Sequence, residues 1–366
     1  MGAPLGLETK AQRGIFVTYM GLWVSYGILN ELAKNRGVRF NSVCAVVLQS
    51  LLKLLLASYM YLMSDTEVTE RIIDRLFFML KQIREHGNLL LLYLIPAGLY
   101  VVYDVLSYVN LRAFNASTYF LLLQFRLVVT GLLHQVMFSK RLNRNQWVSL
   151  GITTMGCAIK TLGSQDFKGS TKLGVSDNGS TVTAYGLLIV QILSSTFAGV
   201  YNEVLLKKQA SIPTNLQNVF MYIDSIVCTL AMLTLGLSEQ TAREALTTAN
   251  FIVLLSPYVL PMVLIMSGIG VVTSLFLKQL DSIRKAIASA LELVFLPLLS
   301  AVLFAQSITL YTVSAVCFVA FGAYIYSLPV ETKEYTKVAS DIELQQEVDN
   351  SNDVPATEEN SAGKFA

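Results

Sequence analysis

The sequence is short of charge, histidine, tryptophan and patterned cysteine. Only 14% of its 366 residues are charged, against roughly 25% in soluble proteins. The net charge of +2 is too small to point to a nucleic-acid partner. The two histidines, His86 and His134, stand far apart with no metal-ligand spacing around either. The four cysteines, Cys44, Cys157, Cys228 and Cys317, all fall in apolar stretches. They lack zinc or redox spacing and read as reduced packing residues. There is no P-loop, no GxSxG elbow and no pair of aspartates in an intramembrane-protease context. An enzyme is therefore not expected, nor a metal or cofactor, nor an ATP-driven pump. No selectivity-filter pattern points to a channel.

What the chain has is apolar length. Hydrophobic residues make up 54%, and the charges gather between long uncharged runs. A spanning helix needs about 20 mostly apolar residues. Ten stretches qualify: 14–33, 41–63, 88–111, 117–138, 147–163, 184–207, 216–237, 251–277, 283–304 and 310–328. The reading is an all-α integral membrane protein with about ten transmembrane helices. The first run lacks a small-residue cleavage site and is expected to span. Gly6 stands where a myristoylation motif wants Ser or Thr. Lys and Arg are more frequent in the loops on the side of the N-terminus, which favours both termini in the cytosol. The basic first outer loop, with Lys34, Arg36 and Arg39, blurs that bias. The sequon Asn178-Gly179-Ser180 then falls in the lumen. A second, Asn115-Ala116-Ser117, sits too near a helix start for ready glycosylation. The expected organisation is a cytosolic N-terminus (1–13), a first five-helix half (14–163), a luminal loop (164–183), a second half (184–328) and a disordered cytosolic tail (329–366).

Sliding the sequence by 166 residues lays one half on the other. Leu127-Val128 falls on Leu293-Val294, Leu132-Leu133 on Leu298-Leu299, and Phe138 on Phe304. Five helices is an odd number, so two such halves insert with opposite orientation. Inverted repeats are a construction of alternating-access transporters.

Charges inside spans are expensive and by default mark sites or pairs. They are Lys53, Asp104, Arg126, Glu203, Asp224 and Glu292, with Lys285 near a helix start. In the 166-residue register Arg126 falls on Glu292 and Tyr119 on Lys285. Each pair on one helix is seven residues apart and shares a face. Two readings stay open. Arg126 and Glu292 form a structural ion pair, or Arg126 and Lys285 meet an anion. Tyr100, Tyr103, Asp104 and Ser107 form one polar stripe; Asn218, Tyr222 and Ser225, with Asp224 beside them, form another. Such groups suit a ligand with bases or sugars to hydrogen-bond and phosphates to neutralise.

The run from Asn115 to Arg126, then Thr130-Gly131-Leu132-Leu133, Lys140-Arg141-Leu142 and Gln146-Trp147, resembles the nucleotide-sugar transporters. So do the block Ser195–Glu203, the region Gln217–Tyr222, and Thr273-Ser274 followed by Lys278–Lys285. The similarity runs from about Gly14 to Leu328, to members that carry CMP-sialic acid or UDP-sugars. It implies the ten-helix fold of drug/metabolite transporters. It also implies exchange of a cytosolic nucleotide sugar for a luminal nucleoside monophosphate, in Golgi or endoplasmic-reticulum membranes. Tyr119, Asn218, Tyr222, Thr273, Ser274 and Lys285 match the family's substrate-contacting types. Arg126 stands where Lys is usual, and offers a fork in place of a point charge. The substrate-site reading adds Tyr103, Asp104, Ser195 and Asp224, with Lys53, Glu203 and Glu292 as charge partners.

Departures from the pattern matter. Asp104, Asp224 and Glu292 add carboxylates near an anion site. An altered substrate, proton coupling or loss of transport would each account for them. Alternatives to nucleotide-sugar exchange are a transporter of another phosphorylated or proton-coupled solute, and a Golgi scaffold that does not transport. A homodimer, or a complex with other Golgi transporters or glycosyltransferases, stays open.

Overall fold

The computed structural model describes residues 5, 7–64, 72–114, 116–163, 178–236, 241–305 and 308–328. The described residues pack as one compact unit. The expected tail, the sequon at Asn115 and the loop residues 164–177 lie outside the described residues.

The described residues form fourteen helices: α1 (Lys10–Asn35), α2 (Ser42–Met63), α3 (Ile72–Glu85), α4 (Gly87–Ala113), α5 (Ala116–Leu123), α6 (Arg126–Phe138), α7 (Arg144–Leu162), α8 (Asn178–Lys208), α9 (Thr214–Thr234), α10 (Ala242–Ala245), α11 (Thr248–Leu254), α12 (Leu260–Gln279), α13 (Ser282–Phe304) and α14 (Leu310–Tyr326). Seven segments are long and apolar enough to cross a membrane: those in α2, α4, α8, α9, α12 and α13, and the stretch Tyr119–Phe138 through α5 and α6. α14 is apolar but shorter. A helix also occupies the two remaining expected stretches, as α1 and α7. Large apolar side chains point outward from the bundle, among them Leu55, Leu91, Ile189, Val302 and Leu310. Such a surface belongs against lipid tails.

Local chemistry sets the boundaries. The Thr9, Asn41, Asn143, Asp281 and Thr309 side chains each accept a backbone N–H at the start of a helix, which satisfies donors that have no helical partner. The structure departs from the expected spans in four places. The stretch 251–277 is broken after α11, because Pro257 has no N–H to donate and pushes Ser256 out of helical geometry. The stretch 117–138 is broken at Gln124-Phe125, where bonds to the third residue back replace the α-helical pattern. The loop after α2 contains α3, which turns Met79 and Ile83 into a core shared with Tyr61, Leu89 and Tyr93. The loop expected over 164–183 is shortened, since α8 begins at Asn178.

The 166-residue offset reappears in the backbone. α6 ends in Ser139 and α13 in Ala305, and both residues take the left-handed conformation at φ 53°. α5 and α13 start at Ala116 and Ser282, α7 and α14 at Arg144 and Leu310, and α4 and α12 end at Ala113 and Gln279. Exchange α1 with α8, α2 with α9, α4 with α12, α5–α6 with α13 and α7 with α14, and the packing pairs map onto each other. The α4–α8 contact corresponds to α1–α12, α4–α9 to α2–α12, and α6–α8 to α1–α13. The pairs α2–α9 and α7–α14 map onto themselves.

Candidate functional site

A cavity of about 440 Å³ lies between α1, α2, α4, α8, α9 and α12, the three helix pairs that exchange. A volume of several hundred Å³ suits a small-molecule ligand. Its polar lining comes from Gln49, Ser50 and Lys53 of α2, Tyr100, Tyr103 and Asp104 of α4, Asn202 of α8, Tyr222, Ser225 and Thr229 of α9, and Thr273 and Ser274 of α12. Trp23 closes one wall from α1. Asp104 is exposed to this space and stands close enough to Lys53 for the two to interact electrostatically. The Tyr222 hydroxyl is buried and makes no hydrogen bond of good geometry. Gly270 makes room for both tips: a Cβ there would lie 2.8 Å from Tyr222 Oη and 3.0 Å from Lys53 Cδ.

Beside the cavity lies a cluster of charge. Arg126 opens α6 at the helix break. It lies in electrostatic range of Tyr103, which lines the cavity, and of Lys285 and Glu292 on α13. Among the described residues, Arg126 and Glu292 make no ion pair within 4.0 Å of each other. Lys160 of α7 also lies in range of Glu292 and donates to the Leu293 carbonyl at 2.6 Å. Tyr19 of α1 connects the two regions: its ring packs edge-on to Trp23, and it senses Arg126 and Glu292.

The predicted site residues divide accordingly. Tyr103, Asp104, Tyr222, Thr273 and Ser274 line the cavity together with Lys53. Arg126, Lys285 and Glu292 form the adjoining charge cluster. The remaining four are not among the cavity-lining residues. Tyr119 is buried, and its hydroxyl accepts from Gln191 Nε2 at 2.7 Å. That amide also donates to Ser107 and its oxygen accepts from Asn110, which ties α4, α5 and α8 together. Ser195 donates to the Ile192 carbonyl within its own helix. Asn218 Nδ2 and one Asp224 oxygen are buried without a hydrogen-bond partner.

Glu203 stands away from the cavity. It is fully buried and accepts from the Ser282 backbone N–H at 2.8 Å, the Ser282 hydroxyl at 2.5 Å and Lys207 Nζ at 2.6 Å. His134 Nε2 stands 3.6 Å away. Lys207 also donates to the Leu280 carbonyl and lies over the Phe138 ring. This network joins the ends of α6, α8 and α12 to the start of α13. Sequence reading missed Lys160, Gln191, Asn110 and Asn202. Gln191, Asn110 and Asn202 are uncharged and sit singly on apolar helices, so nothing in the pattern singles them out. Lys160 reads as a helix-end lysine until the Leu293 carbonyl of α13, which Pro297 leaves without a helical N–H, supplies its partner.

The family model described as nucleotide-sugar transporter matches residues 15–327. The chain belongs to the nucleotide-sugar transporter family. It is 34% identical over 348 residues to the UDP-galactose transporter senju of Drosophila melanogaster, covering 87% of each chain. It is 32% identical to the UDP-N-acetylglucosamine transporter of Homo sapiens over 175 residues, 48% of this chain and 52% of the relative. It is 26% identical to CMP-sialic acid transporter 2 of Oryza sativa subsp. indica, over 64% of this chain and 63% of that one. One solved crystal structure covers 87% of this chain and 96% of its own, at TM-score 0.59 and 12% identity. At that identity the likeness gives the fold alone. The relatives are transporters, and this multi-pass membrane protein is accordingly a transporter and not an enzyme.

Proposed function

We propose that the protein exchanges a cytosolic nucleotide sugar for a luminal nucleoside monophosphate across the Golgi membrane, by alternating access, with a UDP-linked hexose as substrate. The observation that carries this reading is the abutment of two regions. A cavity lined by tyrosine, serine and threonine hydroxyls and by the amides of Gln49 and Asn202 fits a base and a sugar. The Arg126–Lys285 pair beside it fits phosphate. The senju relative is named for UDP-galactose, which favours a UDP-sugar over a CMP-sugar.

The helix boundaries and packing pairs related by 166 residues support two inverted five-helix repeats and ten crossings. A cavity between the exchanging helices is where such transporters hold substrate. If consecutive helices cross in alternate directions, with both termini cytosolic, the cavity lies near mid-membrane: its lining takes in the first half of α2, the middle of α9 and α12 (Met221–Thr229, Met266–Ser274) and Asn202 toward the end of α8. The Glu203 network then closes the cytosolic end. Tyr222 and Thr273 hold base or sugar, Asp104 accepts from sugar or ribose hydroxyls, and Arg126 with Lys285 neutralise the diphosphate. Ligand binding raises apparent stability by mass action. A thermal-shift panel tests the ligand class. UMP, UDP and UDP-hexoses should raise the melting temperature of the purified protein, and uridine should not. Equal shifts with uridine would refute the phosphate contacts.

A further inference from the structure

α1 and α8 carry the same short motif near their ends. Gly27-Ile28-Leu29-Asn30-Glu31 in α1 matches Gly199-Val200-Tyr201-Asn202-Glu203 in α8. The two stretches stand 172 residues apart, so the 166-residue register passes them by. The structure gives the two glutamates matching partners. Glu203 has His134 Nε2 of α6 at 3.6 Å. Glu31 accepts a hydrogen bond from the Ser300 hydroxyl of α13. His134 and Ser300 are themselves related by the 166-residue offset. The α6–α8 and α1–α13 contacts are exchange partners. One carboxylate contact is therefore built twice, once from each half. One turn before Glu31, a Cβ at Gly27 would lie 2.7 Å from Leu296 Cδ2, so α1 and α13 approach closely there.

The two glutamates hold α13 at opposite ends. Glu203 accepts from the Ser282 backbone N–H at 2.8 Å and the Ser282 hydroxyl at 2.5 Å, at the first residue of that helix. Ser300 stands four residues before its end. At 1.5 Å per residue, Ser282 and Ser300 are about 27 Å apart. The apolar core of a bilayer is roughly 30 Å thick. One glutamate thus grips α13 near each face of the membrane. An ionisable group inside a span is costly and by default marks function.

We propose that Glu31 is the counterpart of Glu203 at the opposite membrane face, and that the two carboxylates are latches whose alternate release opens the cavity to one side and then the other. This rests on the alternating-access reading and assigns residues to its two gates. Glu203 lets go of Ser282 and His134 when the cytosolic end opens. Glu31 lets go of Ser300 when the luminal end opens. Both are positioning residues on this account. They set which side the cavity faces and need not touch the ligand.

The test reads exposure of the cavity from each side. Ser225→Cys, an isosteric change in the cavity wall, is made in the full-length protein with Cys44, Cys157, Cys228 and Cys317 replaced by alanine. The protein is placed in sealed vesicles of one orientation. A membrane-impermeant maleimide is added outside or trapped inside. With both glutamates intact, the thiol should be reached from both sides. Glu31→Gln should raise luminal over cytosolic labelling by about tenfold, the worth of a hydrogen bond to a charged group. Ser300→Ala removes the same bond from its other end and should do likewise. Glu203→Gln should shift the ratio the opposite way. A merely structural role would lower the melting temperature of each variant and leave the ratio unchanged; that result overturns the proposal alone. A shift in the same direction from Glu31→Gln and Glu203→Gln overturns it too. Should Glu203→Gln fail to fold, Glu31→Gln and Ser300→Ala together decide. Labelling from one side only, in every variant, overturns the alternating-access reading, and this proposal with it.

Discussion

At the scale of single residues, Gly270 and Glu203 have opposite parts. Gly270 is open space between two flexible side-chain tips, Tyr222 Oη and the Lys53 stem. A methyl group there displaces those tips and leaves the backbone alone. Gly270→Ala should therefore cost about 1 kcal/mol of stability, the low end of what overpacking costs, since side-chain ends can move. It should still weaken nucleotide binding, because the displaced tips line the cavity. Titration and thermal melting on the same sample check both halves. Glu203 is the reverse case. It satisfies the Ser282 backbone and hydroxyl and the Lys207 ammonium at once. Glu203→Ala leaves all three without that acceptor, and should cost about 3–5 kcal/mol, the typical loss when one partner of a buried pair is removed. Glu203→Gln keeps an oxygen for Ser282 and should cost less. Thermal melting of the two variants in one detergent gives the comparison.

At the scale of elements, α7 and α14 form the most extensive helix pair, and glycine permits it. A Cβ at Gly322 would lie 2.3 Å from Thr153 Oγ1 and 3.1 Å from the Ser149 carbonyl oxygen. A Cβ at Gly156 would lie 2.8 Å from Phe318 Cβ. Small residues let helix backbones approach closely in membranes, where no hydrophobic force drives association. Gly322→Val should separate the pair at a cost of about 1–3 kcal/mol, read as a lower melting temperature. Helix existence was legible in the sequence, because about 20 apolar residues with few charges have one stable form in lipid. The break between α5 and α6 was not. Gln124-Phe125 contains neither proline nor glycine, and Gln124 there donates its side-chain amide to the Phe120 carbonyl. The break after α11 is marked by Pro257, but the run on either side stays apolar, so hydropathy carries straight through it. Of the site, the charges were legible from their rarity. Their grouping was only partly so. The repeat register related Arg126 to Glu292 and Tyr119 to Lys285, yet Tyr119 is bound to Gln191, 72 residues away, whose oxygen in turn accepts from Asn110. Hydropathy carries no information on such partners.

At the scale of the molecule, one cavity lies among α1, α2, α4, α8, α9 and α12. On the proposed alternating-access reading, the opposite state would trade the packing of α4–α8 and α4–α9 for that of α1–α12 and α2–α12. In the structure described, the Glu203 network joins the ends of α6, α8 and α12 to the start of α13. The charge cluster of Arg126, Lys285 and Glu292 sits where α6 and α13, themselves exchange partners, approach each other. A substrate that moves with its charge compensated lets both arrangements be visited. On the proposed exchange, an empty site with Arg126 and Lys285 unneutralised would resist crossing through an occluded state.

Counterflow measures that claim directly. The full-length protein is reconstituted in liposomes preloaded with UMP, or left empty, and uptake of labelled UDP-hexoses is followed. The account predicts uptake that is fast in UMP-loaded vesicles, slow in empty ones, and lost in both when Arg126 and Lys285 are replaced by alanine. Uptake that is equal with and without internal UMP, or that survives loss of both cations, would contradict it.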